Sequence, residues 1–495
     1  MLGRLVRQGG AYAVAGALLK AAGLVLAPIL LNPDFLTVQD YGRFALLMIT
    51  AQLAVYLAGL GQATALLRFM TREDPGVAKD SLPATALAIS VGASILVGGL
   101  FFAFAAPLAS ALTDAGQNAA LMLPLAAYVG AKCMASIPLA LLRVQERAGL
   151  YTVAVVMEMV VLIGVVYAEL VGGGTGLSGL VRAYAISAAV GLLALLLLTG
   201  SSFRWQVDRK SAAMLLRFGV PLVLASLAGW FLNAGDRYIL KWLADAEAVA
   251  AYEWSARLAG LINMLLVQSF QLAFTVVGLK AIEAGAGGFY RRTLRHYSIW
   301  TGAAILVLSV WTPDGMRVLI RFFDVDAHYL QASSLVFPLA LGFGAYGVYI
   351  IVNNALLSSG RTGVIGANIV GVAVLNGLLN VALIPVIGAM GAALSTTLSY
   401  AVLAAVAAWT SRKDLSVAYE WRIPFTVVAL LLGLFAAGTA ADQLTPGFRL
   451  VAKLGITGAY FASVPLLRLY TLAEMREALQ SALAFLQNTH KKQTR

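Results

Sequence analysis

Cysteine and histidine are nearly missing from this chain of 495 residues. Its one cysteine, Cys133, lies inside an apolar run, which excludes a disulfide framework and a cysteine-based metal site. Cys133 reads as a small buried hydrophobe. The three histidines, His296, His328 and His490, are too scattered to form a metal cluster. Charge is scarce as well. Only 12% of residues are charged and 60% are hydrophobic, with a mean hydropathy of +0.85. A soluble domain carries about twice that charge. So few polar residues cannot wrap the apolar ones in water, and lipid must solvate them. Length alone would suggest two or three soluble domains, but the long apolar runs override that expectation. The net charge of +12 does not imply nucleic acid, because the positive residues sit in short connectors between those runs.

A helix needs about 20 apolar residues to cross the hydrocarbon core. Runs of that kind lie near 9–31, 42–66, 82–106, 119–142, 150–170, 179–199, 218–240, 249–279, 298–313, 329–356, 366–387, 391–410, 424–440 and 450–470, fourteen in all. The ninth is cut short by Pro313. Arg4 and Arg7 before the first run resemble a signal peptide, but Lys20 interrupts the run and it continues to Leu31, which reads as an uncleaved first helix. Of 35 Lys and Arg, 24 fall in termini and connectors on the N-terminal side of the membrane. Seven fall on the opposite side: Arg43, Arg237, Lys241, Arg317, Arg321, Arg449 and Lys453. By the positive-inside rule both termini are cytoplasmic. The longest outer connector is expected around 314–328, leaving no room for an outer domain. The segment 201–217 reads as a charged cytoplasmic linker, and the tail 471–495 as an amphipathic surface helix.

The chain also matches itself. Shifted by 214 residues, Pro124-Leu125-Ala126 falls on Pro338-Leu339-Ala340, Gly130 on Gly344, Leu142 on Leu356, Arg147 on Arg361 and Gly149 on Gly363. At 212, Gly176 and Gly179 fall on Gly388 and Gly391, and at 211 Tyr41 falls on Tyr252. Six helices is an even number, so the two repeats start on one side and are related by an axis along the membrane normal, with a site between them. The expected fold is an all-α polytopic membrane protein of about 14 transmembrane helices: an N-lobe at 1–200, the linker 201–217, a C-lobe at 218–411, two further helices within 412–470, and the tail 471–495.

The stretch NGLLNVALIPVIGAMGAALSTTLSY at 376–400 resembles the eleventh and twelfth helices of the polysaccharide (O-antigen and exopolysaccharide) flippase family. That family sits in the superfamily of multidrug and toxin (MATE) extruders and lipid II flippases. GLGQATALLRF at 59–69 and GDRYILKWLADAEAVAAYEWSARLAGL at 235–261 are similar to the same family, with Asp236-Arg237-Tyr238, then Tyr252 and Arg257. The chain departs from it around this tyrosine, with Ala-Ala-Tyr-Glu where the family often has Gly-Ile-Tyr-Ser. The resemblance implies a MATE-like pair of lobes around a V-shaped cavity that opens alternately to each side. The implied cargo is an undecaprenyl-pyrophosphate-linked oligosaccharide.

An ionisable group inside a span costs about 2.5–3.5 kcal/mol on insertion scales, so it usually faces a cavity or a partner. Lys20, Lys132, Arg182 and Arg257, joined by Arg237, are the candidate cations for an anionic headgroup. Arg offers a planar fork and Lys a point charge. Glu158, Asp236 and Glu253 are the candidates for ion coupling, although Glu253 and Arg257, four apart on one helix, also suit a simple ion pair. Gln268 and Gln271, and Asn376 and Asn380, suit either sugar contacts or hydrogen bonding between helices. Pro385 should end or kink the eleventh helix. The glycine cluster at 172–176 lacks the lysine and hydroxyl of a phosphate loop and reads as a turn.

The expected function is therefore a non-enzymatic flippase of the inner membrane that moves a lipid-linked oligosaccharide by alternating access, for surface polysaccharide biosynthesis. Its expected partners are membrane lipid, its substrate and a polysaccharide polymerase or glycosyltransferases, with the chain itself a monomer. No cofactor or metal is expected beyond a coupling proton or sodium ion. The alternatives are a multidrug or cation extruder, which the in-span cations oppose, and a membrane-embedded glycosyltransferase or polymerase, which the short outer loops oppose.

Overall fold

Inside a bilayer every backbone polar group must be satisfied within the protein, and an apolar chain does this by forming helices. The computed structural model describes residues 23–71, 79–114, 116–283, 287–412 and 419–470, and these contain helices and turns with no strand. Lys20 and the tail 471–495 lie outside the described residues. In chain order the helices are α1 (Ala27–Leu30), α2 (Val38–Gly59), α3 (Gln62–Thr71), α4 (Leu82–Ala103), α5 (Ala105–Thr113), α6 (Met122–Val144), α7 (Ala148–Val166) and α8 (Gly176–Thr199). They continue as α9 (Arg209–Ala234), α10 (Asp236–Leu243), α11 (Ala246–Ile262), α12 (Ser269–Glu283), α13 (Gly287–Phe323), α14 (His328–Ala332), α15 (Val336–Ser358), α16 (Thr362–Thr410), α17 (Arg422–Ala441) and α18 (Pro446–Leu466).

Among the described residues ten helical stretches are long and apolar enough to cross a bilayer. The 49 residues of α16 would run about 74 Å as one rod, far more than the roughly 30 Å core. They form two crossings separated at Ile387 and Gly388, whose backbones leave the helical region just after Pro385. With α16 counted twice, and with α11–α12 and α18 added, the crossings among the described residues fall on thirteen of the fourteen apolar runs; of the first run only the end is described.

Three boundaries differ from the sequence reading. Pro313 does not end its span: α13 runs through it to Phe323, so the outer connector shrinks from 314–328 to 324–327. Within the linker expected at 201–217, α9 already begins at Arg209. There Asp208 accepts a hydrogen bond from the Ser211 amide at 2.8 Å, a favourable helix cap, and this bonding holds its carboxyl below the usual carboxylate range. The second span breaks at Leu60 and Gly61, both left-handed, into α2 and α3.

The internal repeat is visible in the backbone. α6 and α15 are displaced by 214 residues at both ends, and α7 and α16 begin 214 residues apart. The residues preceding those two starts, Arg147 and Arg361, share φ/ψ values of −90°/59° and −80°/51°. Gly176 and Gly388, 212 apart, have φ of 56° and 57°, a region L-residues enter at a cost of about 1–2 kcal/mol. α6 packs on α2, α4 and α8, whereas α15 packs on α11, α13 and α16. Each repeat thus has the same buried central helix.

The two repeats meet mainly along α2 and α11. Toward the opposite end of α2, α9 packs on α2, α3 and α4, and a Cβ on Gly219 would lie 2.2 Å from the Leu60 carbonyl oxygen; the α2–α11 contacts gather at the face where α1 ends and α2 begins, termed here the distal face. There a Cβ on Gly42 would lie 1.8 Å from the Ala246 carbonyl oxygen, so only glycine permits this approach. Gln39 donates to Glu247 at 3.0 Å, the Asp326 amide to the Leu31 carbonyl at 3.0 Å, and Lys241 pairs with Asp114. α17 and α18 pack on α13 and on each other.

Candidate functional site

Between the repeats lies a cavity of about 360 Å³, within the range of small-molecule sites. The first half contributes Gly23, Leu24 and Tyr184 of α8. The second contributes Asn233 of α9, Arg237 of α10, Glu253 and Arg257 of α11, and Thr396 of α16. Glu253, Arg257 and Gly260 share a stripe of α11 that continues to Asn263 just beyond its end. At 1.5 Å per residue, Arg257 lies about 16 Å inward from the distal start of α11, near the middle of the hydrocarbon core.

The charged wall is a connected network. Glu253 accepts from Arg257 Nε at 2.9 Å through one oxygen, and from Arg237 Nε and Nη2 at 3.2 Å through the other. Arg237 Nη1 also donates to Asp236 at 2.9 Å and to the Asn233 carbonyl at 2.7 Å. Asp236 lies behind this layer, 1% exposed, and accepts from Tyr252 and from Thr396 at 3.1 Å. Each arginine also lies over a buried aromatic ring: Arg237 is 4.9 Å from the Tyr252 centroid and Arg257 is 5.6 Å from that of Tyr41. Such cation–π contacts stabilise a desolvated guanidinium. Tyr41 and Tyr252 are also the pair matched by the 211-residue shift. The repeat therefore places an equivalent ring beside each arginine.

The remaining sequence candidates fall elsewhere. Lys132 pairs with Glu158 between α6 and α7, and Glu158 packs on Gly191 of α8. Neither lines the cavity. Arg182 pairs with Glu169 at 2.7 Å and its side chain is 43% exposed, beside the Gly176 turn. The expectation that both lobes supply cations to one crevice is not met among the described residues: the cavity's charged side chains come from α10 and α11 alone. The expected ion pair of Glu253 with Arg257 is present, and Glu253 bridges to Arg237 as well.

Asn376 and Asn380 are fully buried. Asn376 donates to Ser399 at 3.2 Å, and Asn380 donates to the Asn376 side chain at 3.0 Å, joining the two halves of α16. This is hydrogen bonding between helices, not cavity lining. Gln268 ends a π-helical turn (Asn263–Gln268) and Gln271 follows in α12; neither lines the cavity. Cys133 is fully buried, its Sγ 3.9 Å from the Ser90 carbonyl, as a small hydrophobe would be.

Sequence reasoning missed Asn263. It begins the π-helical turn, lines the cavity, and its buried Oδ1 has no hydrogen-bond partner. A π-turn re-aims side chains and often marks a functional position, and an orphaned buried acceptor favours a donor. A lone asparagine in an apolar run gave no spacing signal. Also missed was a distal cluster in which Lys453, 0% exposed, pairs with Asp314 and Asp442, while Arg317 and Arg449 pair with the same carboxylates. The sequence reading had put all three cations in outer connectors. In the structure they pin α17 and α18 against α13.

A family model described as "Polysaccharide biosynthesis protein" matches residues 5–275. No curated protein matches the chain. Among solved structures, the fold is similar to that of "Lipid II flippase MurJ, inward closed conformation", with a TM-score of 0.72 and 13% identity over 92% of this chain and 99% of that one. It is also similar to a multidrug resistance MATE family transporter of the MOP superfamily. The inward-facing form gives a TM-score of 0.62 at 15% identity over 82% and 94% of the two chains. The outward-facing form gives 0.58 at 17% over 83% and 95%. At such identities these structures establish the shared fold.

Proposed function

The chain belongs to the polysaccharide biosynthesis protein family, and from that premise we propose that it is a flippase that moves a diphosphate-linked lipid oligosaccharide across the membrane. One observation carries the reading: Arg237 and Arg257 face a cavity between the two repeats near mid-membrane depth. Cations at that depth are costly unless they face a cavity or a partner, these two do both, and guanidinium forks suit the oxygens of a diphosphate. The glycan would extend along the α11 stripe past Asn263, while the polyprenyl tail stays in lipid. The distal face is then the outer one, both termini are cytoplasmic, and the membrane is the inner one.

Alternating access follows from the fold. At the distal face the repeats touch through Gly42 and Ala246 and through the Lys241–Asp114 pair, and parting these would open the cavity outward; toward the opposite face they touch through Gly61 and Gly219. The same arginines repel a cationic drug, which opposes the extruder reading. The carboxylates are tied to basic partners, so ion coupling at Glu158, Asp236 or Glu253 requires those pairs to open during the cycle.

The test is reconstitution in vesicles with an undecaprenyl-diphosphate-linked glycan, scored by exposure to a glycan-modifying enzyme outside. Transport of the glycolipid, with no transport of a cationic dye, is expected. Dye transport without glycolipid transport would overturn the reading. Sugar incorporation by the purified chain would overturn its non-enzymatic character.

A further inference from the structure

We propose that Glu253 is a built-in competitor of the substrate headgroup: in the empty cavity its carboxylate fills the place between Arg237 and Arg257 that a lipid diphosphate takes on binding. The inference rests on the headgroup reading above.

The geometry separates two acidic groups with different duties. Asp236 is 1% exposed and held from behind by Tyr252, Thr396 and Arg237. It is a fixed counter-charge. Glu253 stands on the cavity side, 15% exposed, and spans two guanidinium groups carried by different helices, one oxygen to each. That is the arrangement an incoming diphosphate would adopt, since its oxygens also pair with guanidinium forks.

A carrier must release what it binds. Two bare arginines in a desolvated cavity would hold a diphosphate too tightly, and without substrate they would leave buried charge unpaired. Glu253 answers both problems by exchange. It neutralises the arginines when the cavity is empty, swings aside as the headgroup enters, and returns as it leaves. The other ionisable groups around it are Tyr41 of α2, Tyr184 of α8, Asp236 and Arg237 of α10, and Tyr252 and Arg257 of its own helix. Asp236 is already committed elsewhere, which leaves Glu253 as the exchangeable anion among these.

The test compares full-length wild type with Glu253→Gln in nanodiscs, using farnesyl diphosphate as probe and reading both affinity and ligand-induced thermal stabilisation. Glycolipid transport is measured in parallel. Glu253→Gln should bind the diphosphate at least about tenfold tighter, a change of about 1.4 kcal/mol. It should be stabilised by the probe more than wild type is, and it should turn over more slowly. If Glu253→Gln does not fold alone, Glu253→Asp, which keeps the charge but retracts it by one methylene, should show a smaller gain in the same direction. Unchanged or weaker affinity in both variants, with binding still lost in Arg237→Ala and Arg257→Ala, would overturn the competitor role and leave the headgroup reading standing. Absence of diphosphate binding in wild type and every variant would overturn both.

Discussion

At the scale of single residues, the account turns on what kind of cation sits in the cavity. Arg257 uses its fork: Nε meets Glu253, and the Nη1 end lies against the first span, within 2.8 Å of where a Cβ on Gly23 would stand. Lysine cannot reproduce both contacts. Arg257→Lys should therefore reach the membrane at normal levels yet lose about tenfold or more of its transport rate, the equivalent of about one charge-assisted hydrogen bond. Transport at the wild-type rate would show that charge alone suffices. Asn263 makes a contrasting prediction. Its Oδ1 is orphaned, so Asn263→Leu should shift unfolding stability by less than about 1 kcal/mol. It should weaken binding of a glycan-bearing lipid while leaving that of a bare lipid diphosphate unchanged. Competition binding with the two ligands checks this, and equal loss for both would contradict a sugar contact.

At the scale of helices, charges inside spans divide into those facing the cavity and those joining neighbours. Lys132 and Glu158 belong to the second kind, tying α6 to α7. Removing one partner of such a pair strands a buried charge, at a cost of about 3–5 kcal/mol, whereas removing both can be nearly neutral. Lys132→Met should thus lower the unfolding temperature in detergent, and Lys132→Met with Glu158→Met should restore most of it. A double variant as unstable as the single one would place Lys132 outside a pairing role. The spans themselves were legible in the sequence, because about 20 apolar residues give an unambiguous signal, and so was the repeat, through its 214-residue offset. The pairings were not. Arg237 and Glu253 face each other across a turn, and Lys453 meets Asp314 from 139 residues away. No local spacing encodes such contacts. Hydropathy also blurred helix ends, which is why Arg317 and Lys453 read as connector residues when they lie within α13 and α18.

At the scale of the whole molecule, two similar bundles share one cavity and touch at the distal face through α2 and α11 and toward the opposite face through α9 and α3. Gly42 is the point of closest approach, and any side chain there must push the Ala246 backbone away. Gly42→Val should bias the protein toward the distally open form, seen as longer distances between spin labels at positions 39 and 247. Unchanged distances would mean that the two repeats do not move as separate bodies. Contact between α2 and α11 also explains why the cavity wall is built from both halves although its charges, among the described residues, come from one. Among the described residues the first half provides aromatic surface at Tyr184, and the second provides the ions.

The central claim, that an anionic lipid headgroup is held between the repeats by Arg237 and Arg257, is tested most directly by photocrosslinking. A polyprenyl diphosphate with a photoreactive group beside the diphosphate is irradiated with the protein in nanodiscs, and the adducts are mapped by mass spectrometry. The account predicts adducts on residues 233–264, lost in Arg257→Ala and displaced by unlabelled lipid diphosphate. Adducts confined to the Arg182 region or to the Arg317–Lys453 cluster, unaffected by Arg257→Ala, would contradict it.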